Sequence, residues 1–382
     1  MFEVAALDAL VRTLLADGHR VVGPTVRDGV VVTDELATAD DLPVGWGDEQ
    51  APGRYRLRRR DDGARFGWAV GPHSPRREVS PASVALVTIR HRTDPDGHRS
   101  FDAEPVDPTP DRPTAFFGVR PCEAAAMAVH DRVLVGGAHP DPVQTARNEG
   151  RVVVAVDCGS PAATCFCPSM GTGPALPEDR AEPAGVDLRL CELDPDGADG
   201  GGHRFVAWAG TDAGRRLLDA TDHRPATEAD LAAAAAVVAD AEARIERRMP
   251  TDDLPRRLAD AVEHPRWDDV AERCLSCTNC TLVCPTCFCS TVTDDVDLSG
   301  EVTTRTRTWD SCFTLDHSYL HGGSVHASVR SRYRQWLTHK LSTWWDQFGE
   351  SGCVGCGRCI TWCPAGIDLV EEARALVGEH AP

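Results

Sequence analysis

Two cysteine runs of identical spacing dominate this 382-residue chain: Cys274-x-x-Cys277-x-x-Cys280-x-x-x-Cys284-Pro285 and Cys353-x-x-Cys356-x-x-Cys359-x-x-x-Cys363-Pro364. Three thiolates at intervals of three can wrap three irons of one cubane. The fourth cysteine leaves that loop on a helix and points elsewhere; in two-cluster ferredoxins it ligates the other cluster. The spacing therefore predicts two [4Fe–4S] clusters, one held by Cys274, Cys277, Cys280 and Cys363, the other by Cys353, Cys356, Cys359 and Cys284. A zinc module would instead use separated Cys-x-x-Cys pairs, two ligands from each side. The same uninterrupted run occurring twice argues against it.

The formal net charge of −19 repels phosphate backbones and anionic lipid, so neither nucleic acid nor a membrane surface is an expected partner. Sixteen cysteines could suggest a secreted disulfide scaffold. The chain is too long to need such staples, most of its cysteines sit in tight triplets, and no signal peptide is legible. Leu7, Leu10, Val11, Leu14 and Leu15 follow helical spacing, with Gly18 as a stop. No apolar run approaches spanning length. A soluble, cytoplasmic protein is expected, where reduced thiols are available to metal.

The fold class expected is α+β: a mixed α/β N-terminal domain over 1–249, a linker over 250–266, and an α-helical dicluster ferredoxin domain over 267–382. Arg20–Val22 and Val30–Thr33 read as one hairpin, and Tyr55–Arg60 with Phe66–Val70 as a second around Asp61-Asp62-Gly63. Ser83–Ile89, Ala115–Val119 and Val152–Val156 read as further strands, with Glu123–Val135 helical between the last two. Thr227-x-x-Asp230 resembles a capping box opening a helix that runs to about Met249. Eleven of the sixteen cysteines lie beyond residue 267, which marks that region as metal-organised. The long spacer between the two runs, helical over Val325–Leu341 and Ser342–Phe348, favours a helical ferredoxin over the small βαβ type. Arg330, Arg332, Arg334 and Lys340 on it are either a solvated face or cations that raise the clusters' potential.

Eight cysteines remain. Cys122 follows the strand Ala115–Val119 and Cys158 follows Val152–Val156. If those strands are neighbours, both thiols emerge at one sheet edge, with Cys165 and Cys167 in the next loop. Cys122, Cys158, Cys165 and Cys167 are thus a candidate set for a third [4Fe–4S] cluster, against the alternative of small buried hydrophobes. Cys191, in the strand-like Leu188–Leu193, fits the buried alternative. Cys287, Cys289 and Cys312 have no assignment, although Thr164-Cys165-Phe166-Cys167 is echoed by Thr286-Cys287-Phe288-Cys289.

No catalytic residues are assigned. Gly171-Thr172-Gly173-Pro174 and the Gly197–Gly202 loop match no nucleotide-binding fingerprint. His317, His321 and His326 near Cys312 read as packing or solvent-facing. Trp309, Trp336, Trp344, Trp345 and Trp362 read as a wall around the clusters.

Several stretches resemble a known family: Gly23-Pro24-Thr25-Val26-Arg27-Asp28-Gly29, Asp41-Leu42-Pro43-Val44-Gly45-Trp46, Gly118-Val119-Arg120-Pro121-Cys122, Thr164–Pro174, Trp309-Asp310-Ser311-Cys312, and Arg332-Tyr333-Arg334 with His339-Lys340. The family is the 4Fe–4S dicluster subunit of cytoplasmic multi-subunit oxidoreductases. It includes the beta subunit of sulfhydrogenase-type, NAD(P)-linked [NiFe] hydrogenases and the similar dicluster subunit of anaerobic sulfite reductase. The resemblance implies an electron conduit. At one end would stand a flavin- and [2Fe–2S]-containing NAD(P)H-oxidoreductase subunit. At the other would stand the small and large [NiFe] hydrogenase subunits, or sulfite reductase subunits. It also implies an α-helical ferredoxin fold at the C-terminus.

Overall fold

A computed structural model describes residues 1–176, 185–193 and 202–379. Part of the glycine-rich 197–202 loop lies outside them. The chain is α+β. Its N-terminal part is built on a seven-stranded mixed sheet with the spatial order Phe2–Glu3, Arg204–Ala209, Leu188–Leu193, Val152–Val156, Thr114–Val119, Arg20–Arg27, Val30–Glu35. The four strands from Leu188–Leu193 to Arg20–Arg27 run parallel to one another, and the outer pairings are antiparallel. The central strands Thr114–Val119 and Val152–Val156 are buried at every residue, as a sheet covered on both faces requires. Helix Leu7–Ala16 buries Leu7, Leu10, Val11 and Leu14 on one face. Val22, Phe116, Val153 and Met127 pack on the other.

Two details correct the sequence reading. The second hairpin pairs Trp46–Ala51 with Arg54–Arg59, one turn earlier than expected. Asp62 accepts from Arg60 and from the Ala64 amide, which curls residues 61–64 into a loop. Phe66 and Trp68 then turn into the core rather than pairing as a strand. The capping box at Thr227 and Asp230 is present, but its helix ends at Arg244, where Ile245 is anchored in buried contacts.

The spacer between the cysteine runs is only partly helical. Ser290–Val296 and Val302–Trp309 are strands, and they join Ser83–Thr93 and Arg99–Pro105 in an antiparallel four-stranded sheet. Distant segments of the chain are thereby tied together. Helix Val329–Thr338 continues through a π turn at His339–Thr343 into Trp344–Phe348. Residues 250–266, read as a linker, carry helix Leu254–Asp260, whose Leu254 and Leu258 belong to the C-terminal core with Trp267, Tyr333, Trp336 and Ile360. Among the described residues, no helix is long and apolar enough to cross a membrane.

Candidate iron–sulfur site

Helix Arg266–Arg273 delivers the chain to Cys274, and the one-turn helix Asn279–Leu282 carries Cys280. In the second run, helix Arg358–Thr361 carries Cys359 in the same way. Cys274, Cys277 and Cys280 line one cavity, and Cys363 and Cys359 of the other run join them there. The converse holds as well: Cys284 is an electrostatic neighbour of Cys353, Cys356 and Cys359. The fourth cysteine of each run therefore reaches the three of the other.

The donor set suits cluster binding. Backbone amides point at sulfur: Ser276 to Cys274 at 3.5 Å, Gly355 to Cys353 at 3.4 Å and Ile367 to Cys363 at 3.4 Å. Burial pushes the Cys353 thiol up to about 12 and those of Cys280 and Cys359 well above their ordinary value. A thiolate persists in such a place only if a cation shares its charge, and cluster iron supplies one. Cys284 is the exception, held low by its hydrogen bond with Cys287 and then by the Lys340 ammonium. Phe313, Tyr333 and Trp336 close the first cavity from the core side. Trp344 is buried, whereas Trp345 is exposed, so the tryptophans do not act as one wall.

The three arginines singled out on the spacer differ; Arg330 pairs with Glu263 and Asp268 at the surface. Arg332 is buried, donates to the carbonyls of His326 and Ala327, and reaches Ser276 in the first loop. Arg334 donates to the Val262 carbonyl and pairs with exposed Glu263.

The upstream cysteines also converge. Thr114–Val119 and Val152–Val156 are indeed neighbours. Cys122 opens helix Pro121–Leu134 after the first strand, and Cys158 follows the second. Cys167 neighbours Cys165 and Cys158, Cys122 neighbours Cys167, and Cys122, Cys165 and Cys167 neighbour Cys356 of the second run. Cys191 stands apart, fully buried against the Ala234 carbonyl.

The buried arginines went unread in the sequence. Arg120 donates to the carbonyls of Phe66, Trp68 and Asp157, which locks the Gly118–Cys122 segment to the sheet. Arg358, inside the second run, donates to the carbonyls of Gly71 and His73 and pairs with Glu123. A cation within a cysteine loop was the available signal, since buried charge needs a partner.

Paired four-sulfur groups built from interleaved cysteine runs define a ferredoxin-type, two-cluster electron-transfer protein. The 4Fe-4S dicluster domain family matches residues 273–367. Sulfhydrogenase 2 subunit beta of Pyrococcus furiosus is 32% identical over 262 residues, covering 67% of this chain and 72% of that protein. No solved structure matches the chain. The chain belongs to the 4Fe–4S dicluster subunit family that contains this beta subunit, and it is an iron–sulfur electron-transfer protein with two [4Fe–4S] clusters.

Proposed function

We propose that this chain is the electron-conducting subunit of a cytoplasmic NAD(P)-linked [NiFe] hydrogenase of the sulfhydrogenase type. It passes electrons between the flavin-containing and hydrogenase subunits. Cys274, Cys277, Cys280 and Cys363 ligate one cluster, Cys353, Cys356, Cys359 and Cys284 the other, and Cys122, Cys158, Cys165 and Cys167 a third. The observation that supports this reading is that Cys363 lines a cavity with Cys274, Cys277 and Cys280, while Cys284 neighbours Cys353, Cys356 and Cys359. Each cluster supplies reversible one-electron transfer when bound. The chain's own residues fix the spacing: the shared Cys280–Cys284 and Cys359–Cys363 segments hold the two groups adjacent, and Cys356 places the upstream thiols beside the second. The name of the Pyrococcus relative supports hydrogenase over sulfite reductase.

The test is anaerobic capture of the tagged native complex, with subunit identification and metal analysis. Co-purification of flavin and [NiFe] subunits is expected, and in the separately reconstituted chain Cys122→Ser/Cys165→Ser should lose about four irons, one cubane's worth. Sulfite reductase subunits in place of the flavin and [NiFe] subunits overturn the hydrogenase reading. Unchanged iron in that variant removes the third cluster.

A further inference from the structure

The Thr-Cys-Phe-Cys element occurs twice, and both copies pack against the loop of the second cysteine run. In the first copy Thr164 shares a hydrogen bond of 2.8 Å with Thr361, and the Phe166 amide donates to the Gly355 carbonyl. In the second, the Thr286 hydroxyl donates to the Gly352 carbonyl at 2.7 Å. The first copy contributes two thiols to a four-cysteine group. The second contributes Cys287 and Cys289, which belong to none of the three groups.

These two thiols have company. Cys287 hydrogen-bonds with Cys284 and neighbours Cys289, and Cys289 hydrogen-bonds with Cys312. Strands Ser290–Val296 and Val302–Trp309 form a hairpin whose base is closed by the Asp310 amide donating to the Cys289 carbonyl at 2.9 Å, so Cys289 and Cys312 flank that base. His317, a neighbour of Cys289, has its Nδ1 held by Asp310 at 3.1 Å. Asp310 is itself fixed by the Ser311 amide and the Thr314 hydroxyl. A carboxylate that fixes one ring nitrogen and leaves the other as ligand is the usual support of a metal-binding histidine.

The surroundings call for an anion. Arg76 and Lys340 are both 3% exposed, and among the described residues neither pairs with a carboxylate. Arg76 donates to the carbonyls of Thr281 and Cys284 and stacks on Trp309 at 3.7 Å, while its Nε has no partner. Lys340 donates to the Thr286 hydroxyl at 2.8 Å. The neighbours common to both cations are the sulfurs of Cys284, Cys287 and Cys289. Burying two cations without countercharge is strongly unfavourable, so this corner of the fold calls for a bound anionic group.

We propose that Cys287, Cys289 and Cys312, with the imidazole of His317, bind a further iron–sulfur cluster beside the one assigned to Cys284 and the second run. The site rests on the proposed ligand assignment only in leaving Cys284 to that neighbour. A cluster fits better than a single zinc ion. Four sulfurs on one zinc stand about 3.8 Å apart, given bonds of about 2.3 Å at tetrahedral angles. Among the described residues, no three thiols lie within 4.8 Å of one another, so these three are not gathered as one zinc ion would gather them. A polynuclear centre also carries the negative charge that Arg76 and Lys340 offset.

The experiment compares the full chain, Cys289→Ser/Cys312→Ser and the control Cys191→Ser, all prepared anaerobically and reconstituted with iron and sulfide. The double variant should lose about four irons and four sulfides relative to the control, one cubane's worth, and keep the paramagnetic signals of the remaining reduced centres. Equal iron in all three overturns the proposal, as does zinc recovered in place of the missing iron. Should the double variant fail to fold, His317→Ala decides: one altered cluster signal supports the site, and a spectrum identical to that of the unsubstituted chain overturns it. Cys284→Ser and Cys363→Ser report on the two assigned clusters separately, so failure there is distinguishable from failure here.

Discussion

The two cysteine loops share a spacing and differ in almost everything around it. Residue for residue, Leu275 answers to Val354, Ser276 to Gly355, Thr278 to Gly357 and Asn279 to Arg358. Leu275 is 68% exposed, while Val354 is 3% exposed. Cys277 is exposed and its counterpart Cys356 is buried. The outer loop meets solvent; the inner one is enclosed by the N-terminal part of the chain. Ser276 and Gly355, and likewise Thr278 and Gly357, adopt positive φ. In the inner loop a Cβ at Gly357 would lie 2.4 Å from the Thr164 carbonyl oxygen, and one at Gly355 would lie 2.7 Å from the Cys167 backbone. Only glycine fits there. One spacing thus serves two environments, and the residues between the cysteines record which is which. The outer loop is the side on which a redox partner can approach.

The largest expected effect tests whether each loop really borrows a ligand. Cys363→Ser should cost the centre of the outer loop and Cys284→Ser that of the inner loop, each about four irons by metal analysis. If Cys284→Ser depletes the outer centre instead, the two loops are independent and the contrast between them loses its meaning.

Next come the contacts that enclose the inner loop. Arg358→Ala removes the partner of Glu123 and leaves a carboxylate buried, which should cost about 3–5 kcal/mol in anaerobic denaturant unfolding. Asn279, its outer counterpart, donates only to the Trp362 carbonyl at 3.2 Å, and Asn279→Ala should cost about 1 kcal/mol. Gly357→Ala adds a backbone clash to a left-handed conformation and should cost about 3 kcal/mol. Equal costs for Arg358→Ala and Asn279→Ala would mean that the inner loop is no better anchored than the outer.

The sequence made the cysteine groups legible because cluster ligation imposes a strict local spacing, and the β-branched central strands because burial on both faces selects such residues. The enclosure was not legible. It depends on contacts between residues more than 100 positions apart, such as Arg358 with Glu123 and Thr361 with Gln50. No local pattern encodes them. The Ser290–Trp309 hairpin could have been read: Thr303, Thr306 and Thr308 with Val292 and Val302 are β-branched, and Asp297 to Gly300 supplies a turn. The expectation of a helical spacer hid it. Lys340, the chain's lone lysine, read equally as part of a solvated face or as a cation near the clusters; it is buried beside the sulfurs of Cys284, Cys287, Cys289 and Cys353.

Asp48 gives the inner enclosure a pH signature. The Thr361 hydroxyl donates to Gln50, whose amide donates to Asp48, which also accepts from the Ala69 amide. Burial pushes the Asp48 carboxyl up from 3.8 to about 6, against those hydrogen bonds. A raised carboxyl binds its proton more tightly when folded. Its contribution is therefore complete below about pH 4 and lost as pH rises through 6. A rise from 3.8 to about 6 corresponds to about 3 kcal/mol. Asp48→Asn should flatten this part of the profile, measured as the difference between the two proteins' unfolding free energies from pH 4 to 7. A constant difference across that range would show that the carboxyl is not buried in solution and that this wall of the inner loop is open.

The smallest effect is the sharpest probe of the contrast, because it asks for a change of opposite sign. Ser276 and Thr278 hold positive φ at 50° and 69° without being glycine. A left-handed conformation costs an L-residue about 1–2 kcal/mol, and the freedom glycine loses on folding gives back about 0.5–1 kcal/mol of any relief. Thr278→Gly should therefore stabilise the cluster-loaded chain by about 0.5–1 kcal/mol, seen as a slightly higher unfolding midpoint. The first-turn hydrogen bonds that Thr281 donates run to the backbone carbonyl of residue 278, so the substitution leaves them in place. At the matching inner position, Gly357→Ala moves the midpoint down. If Thr278→Gly also lowered it by several degrees, the Thr278 side chain would have to be packed against something as the inner loop is packed against Thr164, and the outer loop would be a covered surface rather than an open one.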